Sequence, residues 1–198
     1  EKTDIHLYPR YALPDGYHFS AYRPDLDEAW ASLQYAVGQT DTLQEAREIF
    51  ADEFARYPDM LRQRMLFVLK ENGELVGSCA IWPGYHFGRE LQRVHWVAVA
   101  PAQQGRGIAK AMLTHLLDGY QQLHPNGYLY LTTQTWSYPA IGLYLQFGFR
   151  PYLGKKPVNW RAVNLLSGEP WDYQTKTQEA WRMIGEKLMD RRSDKEKK

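Results

Sequence analysis

The chain has 198 residues, of which 44% are hydrophobic, 24% charged and 14% aromatic, and its formal net charge is +1. This is the composition of one globular domain able to bury a core unaided; it speaks against wholesale disorder and lends no support to the basic stripe with which nucleic-acid binders neutralise phosphates. Cys79 is the only cysteine, no signal-peptide pattern opens the chain and no run approaches ~18 apolar residues, so disulfides and membrane partners are not expected and a cytoplasmic setting is.

Residues 1–16 mix Pro9, Pro14 and Gly16 with Tyr8 and Tyr11, an irregular lead-in whose tyrosines pack against the domain. Residues 17–22 alternate as a strand. Pro24-Asp25 then opens a helix with Leu26, Ala29, Trp30, Leu33 and Val37 at three- and four-residue steps, ended by Gly38. A second helix spans 42–57, with Leu43, Ala46, Ile49, Phe50 and Phe54 on one face, Asp41 as N-cap and Pro58 as stop. The apolar runs 65–69 and 75–82 flank Glu71-Asn72-Gly73-Glu74, the strongest short hairpin signal. A loop at 83–90 leads to a strand at 92–99.

Ile108, Met112, Leu116 and Tyr120 mark a buried helix over 107–122. A strand at 127–133, a helix at 137–146 and strands at 149–153 and 158–165 come next. A last amphipathic helix covers 177–189, with Ala180, Trp181, Ile184 and Leu188 on one side, and 190–198 is a charged, frayed tail. The fold class is therefore α/β with a mixed sheet. The lead-in at 1–16 precedes the domain proper at 17–170, and 171–198 carries the C-terminal helix and tail.

The chemistry concentrates between strand 92–99 and helix 107–122. Pro101 breaks the strand, and Gln104-Gly105-Arg106-Gly107-Ile108-Ala109 feeds the helix. The first amides of a helix lack intrahelical acceptors and sit at the positive end of the macrodipole, while glycines remove side chains that would hold an anion away, so this turn suits a pyrophosphate. GxxxxGK[ST] is absent. GxGxxG from Gly105 fails at Lys110, and no acidic residue lies about twenty positions on, so P-loop and dinucleotide readings are poor. The six histidines show neither HExxH nor Cys/His ligand spacing, and no metal is expected.

Gln104, Gly107 and Ala109 satisfy Q/R-x-x-G-x-G/A, which resembles the acetyl-CoA loop of the GCN5-related N-acetyltransferase (GNAT) superfamily. The stretch Ser137 to Phe149, with Ala140, Leu143-Tyr144 and Gly148-Phe149, resembles the second signature of that superfamily. Together with the upstream order of elements the resemblance covers roughly residues 17–153. It implies a mostly antiparallel sheet with flanking helices, in which strands 92–99 and 127–133 splay into a V-shaped cleft for acetyl-CoA. Pantetheine would lie along the backbone of Val97 and Val99, the pyrophosphate on residues Gln104, Gly105, Arg106, Gly107, Ile108 and Ala109, with Ser137 and Tyr144 completing the set. Ser137 stands where the family often has Asn and Ala109 where Gly is commoner; a serine still caps a helix or accepts one hydrogen bond.

The activity implied is transfer of an acetyl group from acetyl-CoA to a primary amine of a small molecule or peptide, directly in a ternary complex. Tyr144 matches the family tyrosine that gives a proton to the departing thiolate, and an unperturbed phenol, titrating at about 10, is protonated at neutral pH. Several relatives carry a strand Glu as base; Arg93 occupies that position here and cannot act as one. His95, two residues along on the same face, suits proton removal from an ammonium, with Glu90 or water as alternatives. Trp82, Tyr85, Phe87, Trp136, Tyr138 and Trp160 are candidates to line an acceptor pocket. A non-catalytic acyl-CoA-binding or sensing domain is the second reading, and a nucleic-acid binder using Lys155, Lys156 and the tail a distant third. A homodimer is left open.

Overall fold

In a computed structural model the residues described are 1–2, 4–124, 127–158 and 172–196. Five strands form one sheet in the order β1 (Tyr17–Ala21), β2 (Met65–Lys70), β3 (Leu75–Gly84), β4 (Leu91–Val99) and β5 (Leu129–Tyr130). Neighbours are antiparallel except β4 and β5, which run parallel. β2, between β1 and β3, is buried on both faces. Leu66 and Val68 enter one core, and Met65, Phe67 and Leu69 the other, as the two-residue period of a strand requires.

One face is covered by α4 (Ile108–Leu123), whose Ile108, Met112, Leu113, Leu116 and Leu117 are buried, together with Tyr144 and Phe147 from α5 (Tyr138–Gln146) and its end. The other face is covered by α1 (Asp27–Ala36), α2 (Leu43–Ile49) and α3 (Pro58–Arg64). Trp30, Phe50, Phe54, Phe67 and Trp82 fill that layer; Trp30 meets Phe50 at 5.0 Å and Phe54 meets Trp82 edge-on at 4.8 Å between ring centroids.

Several boundaries depart from the sequence reading. Thr42, not Asp41, caps α2: its backbone is extended and its hydroxyl accepts from the Glu45 amide at 3.0 Å, while Glu45 reaches back to the Asp41 amide at 2.8 Å, a variant of the capping box. The expected helix 42–57 widens into a π turn over Phe50–Ala55, and Pro58 opens α3 instead of merely stopping its predecessor, because proline's missing N–H costs nothing at a first helical position.

The strand expected at 127–133 pairs only at Leu129 and Tyr130, since the chain beyond them turns away from β4. The strand expected at 149–153 does not form. Arg150 instead exchanges backbone hydrogen bonds with Glu1, at 2.7 and 2.8 Å, and Lys2 pairs with Leu129, so the lead-in continues the sheet edge. Tyr8 and Tyr11 of that lead-in pack on Phe147. Of the strand expected at 158–165, Val158 lies in a turn with its amide bonded to the His86 carbonyl, and the rest falls outside the described residues, as does Trp160. α5 (Tyr138–Gln146) follows a single 3-10 turn. α6 runs Tyr173–Glu196, longer at both ends than expected and into the charged segment, and it approaches α5 so closely that a Cβ on Gly142 would stand 2.8 Å from Leu188.

Candidate active site

β4 pairs with β5 only through Gln92 and Arg93; past them it runs on to Val99 with no strand on that side. A cavity of about 1270 Å³ fills the opening, lined by Val94 to Val99 on one wall and Leu131 to Gln134 on the other. This is the splay the resemblance implied. Its volume exceeds what one drug-sized ligand occupies.

β4 also carries a bulge. Ser78 pairs with Ala98 but Ala80 with His95, so Trp96 and Val97 together stand against Cys79. Trp96 takes φ +47, a left-handed conformation costly for an aromatic residue and persisting only where its surroundings fix it. The indole sits 5.2 Å from the Trp30 ring, edge-on. As a consequence His95 and Trp96 share the face toward the helices, and Val97 and Val99 return to the face of Val94 and Tyr144.

At the end of β4 the loop forms as its glycines suggested. Gly105 and Gly107 have φ +78 and +89, and a Cβ on either would meet nothing within 4 Å, so space stands open before the turn. The first helical bond of α4 runs from the Ala111 amide to the Gly107 carbonyl, leaving the amides of Ile108, Ala109 and Lys110 without intrahelical acceptors. No side chain caps this end and no acidic residue lies in its first turn. Such an end favours an anion.

Val97, Val99, Gln104, Gly105, Gly107, Ile108, Ala109, Ser137, Tyr144 and His95 all line the cavity. Arg106 is exposed and outside the lining, consistent with a loop that works through backbone amides. The carbonyls of Val97 and Val99 accept from the side-chain amides of Gln39, at 3.2 Å, and Gln104, at 3.0 Å, so a ligand lying along β4 must displace these arms or use the remaining lone pairs.

Tyr144 is 8% exposed and its hydroxyl makes no hydrogen bond to a described residue. Burial, and then the nearby Cys79, push the phenol above its ordinary value, so the hydroxyl keeps its proton at neutral pH. Cys79 itself is fully buried and raised for the same reason, which removes it as a nucleophile.

His95 sits in a cluster the sequence did not reveal. Glu53, on the π turn, accepts from Arg93 Nη2 at 2.6 Å and His95 Nε2 at 2.7 Å on one oxygen, and from Trp96 Nε1 at 3.0 Å on the other. Burial drives the Glu53 carboxyl up, but the bonds from His95 and Trp96 and the Arg93 charge outweigh it and hold it below the usual carboxylate range. Burial lowers His95, against the opposing pull of Glu53 and with a further push from Arg93 and His86, so the imidazole is neutral at pH 7. One sequence signal was available: Glu53 is an acid at i+3 from Phe50 on the apolar stripe of its helix, where a charge needs a partner.

Among the other candidates, Glu90 is exposed and accepts from the Tyr85 hydroxyl at 2.6 Å, away from the cavity. Trp82 is core beside Phe54, and Phe87 packs with Tyr130 and Tyr152. Of the aromatics proposed for an acceptor pocket, Trp136 lines the cavity.

No helix among the described residues is long and apolar enough to cross a membrane. No curated protein matches the chain. Among solved structures it is similar to a GCN5-related N-acetyltransferase of Sphaerobacter thermophilus, at 19% identity and a TM-score of 0.55 over 71% of this chain and 45% of that one. It is also similar to the diaminobutyrate acetyltransferase EctA of Paenibacillus lautus, solved with L-2,4-diaminobutyric acid and coenzyme A, at 20% identity and a TM-score of 0.50 over 65% of this chain and 72% of that one. The chain thus spans less than half the length of the first of these, and at such identities the likeness establishes the fold. The acetyltransferase (GNAT) family model matches residues 24–149, well over half of the sequence and the whole stretch from α1 through the glycine loop to Phe149, and the chain belongs to that family.

Proposed function

We propose that the chain transfers an acetyl group from acetyl-CoA to a primary amine of a small molecule or peptide, directly, with both substrates in the cleft together. The observation that carries this reading is the joint placement, on one cavity, of a glycine turn with free helix amides, a buried tyrosine whose hydroxyl has no partner among the described residues, and a neutral histidine. The diaminobutyrate acetyltransferase, a fold neighbour holding an amino acid with a free amine beside coenzyme A, supports the substrate class. The amides of Ile108 and Ala109 and the glycine turn hold the pyrophosphate. Ser137 and the edge of β4 guide pantetheine toward Tyr144.

An amine arrives as an ammonium, and nitrogen attacks only after losing a proton. His95 takes it. The nitrogen–carbon bond then forms, the carbon–sulfur bond breaks, and the hydroxyl of Tyr144 gives its proton to the departing sulfur. Nitrogen releases two protons in all: one balances the new thiol through Tyr144, and the other passes through His95 to solvent. A glutamate at Arg93 is dispensable because His95 is neutral without it.

The test is thiol release with acetyl-CoA against a panel of diamines, amino sugars, amino acids and peptides, alongside thermal shift by acetyl-CoA. Turnover on at least one amine, and none on the matching alcohols, is expected. Absence of both turnover and thermal shift overturns the proposal, whereas a shift without turnover on any amine would mark a binding domain.

A further inference from the structure

Glu53 touches nothing in the cavity, yet it is the residue on which the acceptor-side wall converges. It projects from the π turn across the sheet face to receive Arg93 and His95, which share a face by the alternation of the strand, and Trp96, which the bulge brings to that same face. His95 and Trp96 line the cavity; Glu53 and Arg93 stand behind them. A carboxylate accepts and does not donate, so the 2.7 Å contact requires the His95 Nε2 to carry the hydrogen, and the neutral ring then has its lone pair on Nδ1.

We infer that Glu53 is a positioning residue, which fixes the tautomer and rotation of His95 so that Nδ1 is the atom receiving the proton of an amine acceptor. This inference rests on the acetyl-transfer reading given above for its chemistry and on Glu53 geometry for its structure.

The placement has a physical logic. An isolated carboxylate in this wall would be costly to bury; Arg93 neutralises it, and the indole of Trp96 fills the second oxygen, so that Glu53 has one orientation. Among the described residues the charged and titratable groups acting on His95 are Glu53 from the π turn, Arg93 from its own strand and His86 from the loop after β3. Arg93 and His86 disfavour the imidazolium, and Glu53 favours it. Removing the Glu53 charge therefore makes His95 a weaker base and frees its ring to rotate or change tautomer. Those two effects are separable from simple loss of packing, which moves neither.

Two measurements decide the matter. Nitrogen-15 shifts of histidine-labelled protein, with the His95 signals assigned by their loss in His95→Gln, report the tautomer whether or not an acceptor is known. The wild type is expected to show Nε2–H at His95, and Glu53→Gln to show a mixture or its loss. The second is the pH profile of kcat/KM for the best amine: in Glu53→Gln the plateau is expected to fall between about 10- and about 100-fold and the acid limb to move to lower pH, with KM for acetyl-CoA unchanged.

An Nδ1–H tautomer in the wild type overturns the inference at once, even if Glu53→Gln proves unable to fold. So does a Glu53→Gln enzyme whose acid limb and His95 shifts match the wild type, whatever its yield. If the wild type acetylates no amine but holds the Nε2–H tautomer through Glu53, the positioning stands and it is the proposed activity that has failed.

Discussion

The two walls of the cleft are built by opposite means. The wall proposed to hold the cofactor (the cofactor wall) is backbone: six consecutive residues, two glycines with positive φ and the first amides of α4. The wall proposed to face the amine (the acceptor wall) is side chain: Glu53 meets Arg93, His95 and Trp96 across about forty residues of sequence, at a bulge where Trp96 is held at φ +47. A site made of amides tolerates Ala109 and Ser137 where the family prefers other residues, because neither change removes an N–H. A site made of converging side chains has no such tolerance, since each donor satisfies a buried acceptor.

The largest effect expected from breaking this contrast is on the cofactor wall. Gly107→Glu places a carboxylate in the open space before α4, against the phosphates that wall is proposed to hold, and like charges brought together at a binding site cost several kcal/mol. Acetyl-CoA affinity by titration calorimetry is expected to fall about a thousandfold. Some thermal stability is lost as well, because φ +89 is strained for any side chain. Affinity within a few-fold of wild type would show that this turn does not hold the phosphates.

Tyr144→Phe is next in size and reads the boundary between the walls. The ring stays, so its contacts with the core and the edge-on approach to Phe149 survive. The hydroxyl removed has no partner among the described residues and borders the cavity, so its deletion leaves stability within about 0.5 kcal/mol. Turnover is nevertheless expected to drop about a hundredfold with KM for acetyl-CoA little changed, as for loss of a positioned proton donor. Unchanged kcat would assign Tyr144 to packing alone.

Legibility in the sequence divides along the same line. The glycine turn, α4 and the hairpin at Asn72-Gly73 are local in sequence and legible to within a residue or two, because periodicity and turn chemistry act over short spans. The positions of His95 and Tyr144 on the cavity are legible too, one from its strand face and the other from the resemblance. Glu53 is not. Its partners become neighbours only when a helix and a strand about forty residues apart are packed together, and the bulge that puts His95 and Trp96 on one face has no signature in Val94-His95-Trp96-Val97. The expected strand at 149–153 fails for a related reason: its hydrogen-bond partner is Glu1, at the far end of the chain. Thr42 displaces Asp41 as cap because either residue type serves, and backbone angles decide between them.

The smallest effect expected is on the pH dependence of stability, and it separates the walls by their titrating groups. Between pH 5 and about 6.5 the side chains that ordinarily titrate are histidines, and the turn from Gln104 to Ala109 has none. The acceptor wall has His95, and His86, outside the cavity lining, acts on it; both are lowered from the ordinary value of 6.5, His86 by burial first and then by Arg93, His95 by burial first and then by Arg93 and His86 against the pull of Glu53. A folded-state pKa below the unfolded one means that the unfolded chain binds more protons, so the stability these rings contribute is present above about pH 6.5 and is lost as pH falls through their folded values. The melting temperature should therefore decline on acidification through this window, and His95→Gln should make the decline shallower. Glu53, whose reference value is 4.5, adds its own loss only at lower pH, so it does not obscure the comparison. Gly107→Ala, altering the other wall, should shift the whole curve downward and leave its slope alone. A slope untouched by His95→Gln would mean that His95 is not the buried neutral ring on which the acceptor wall depends.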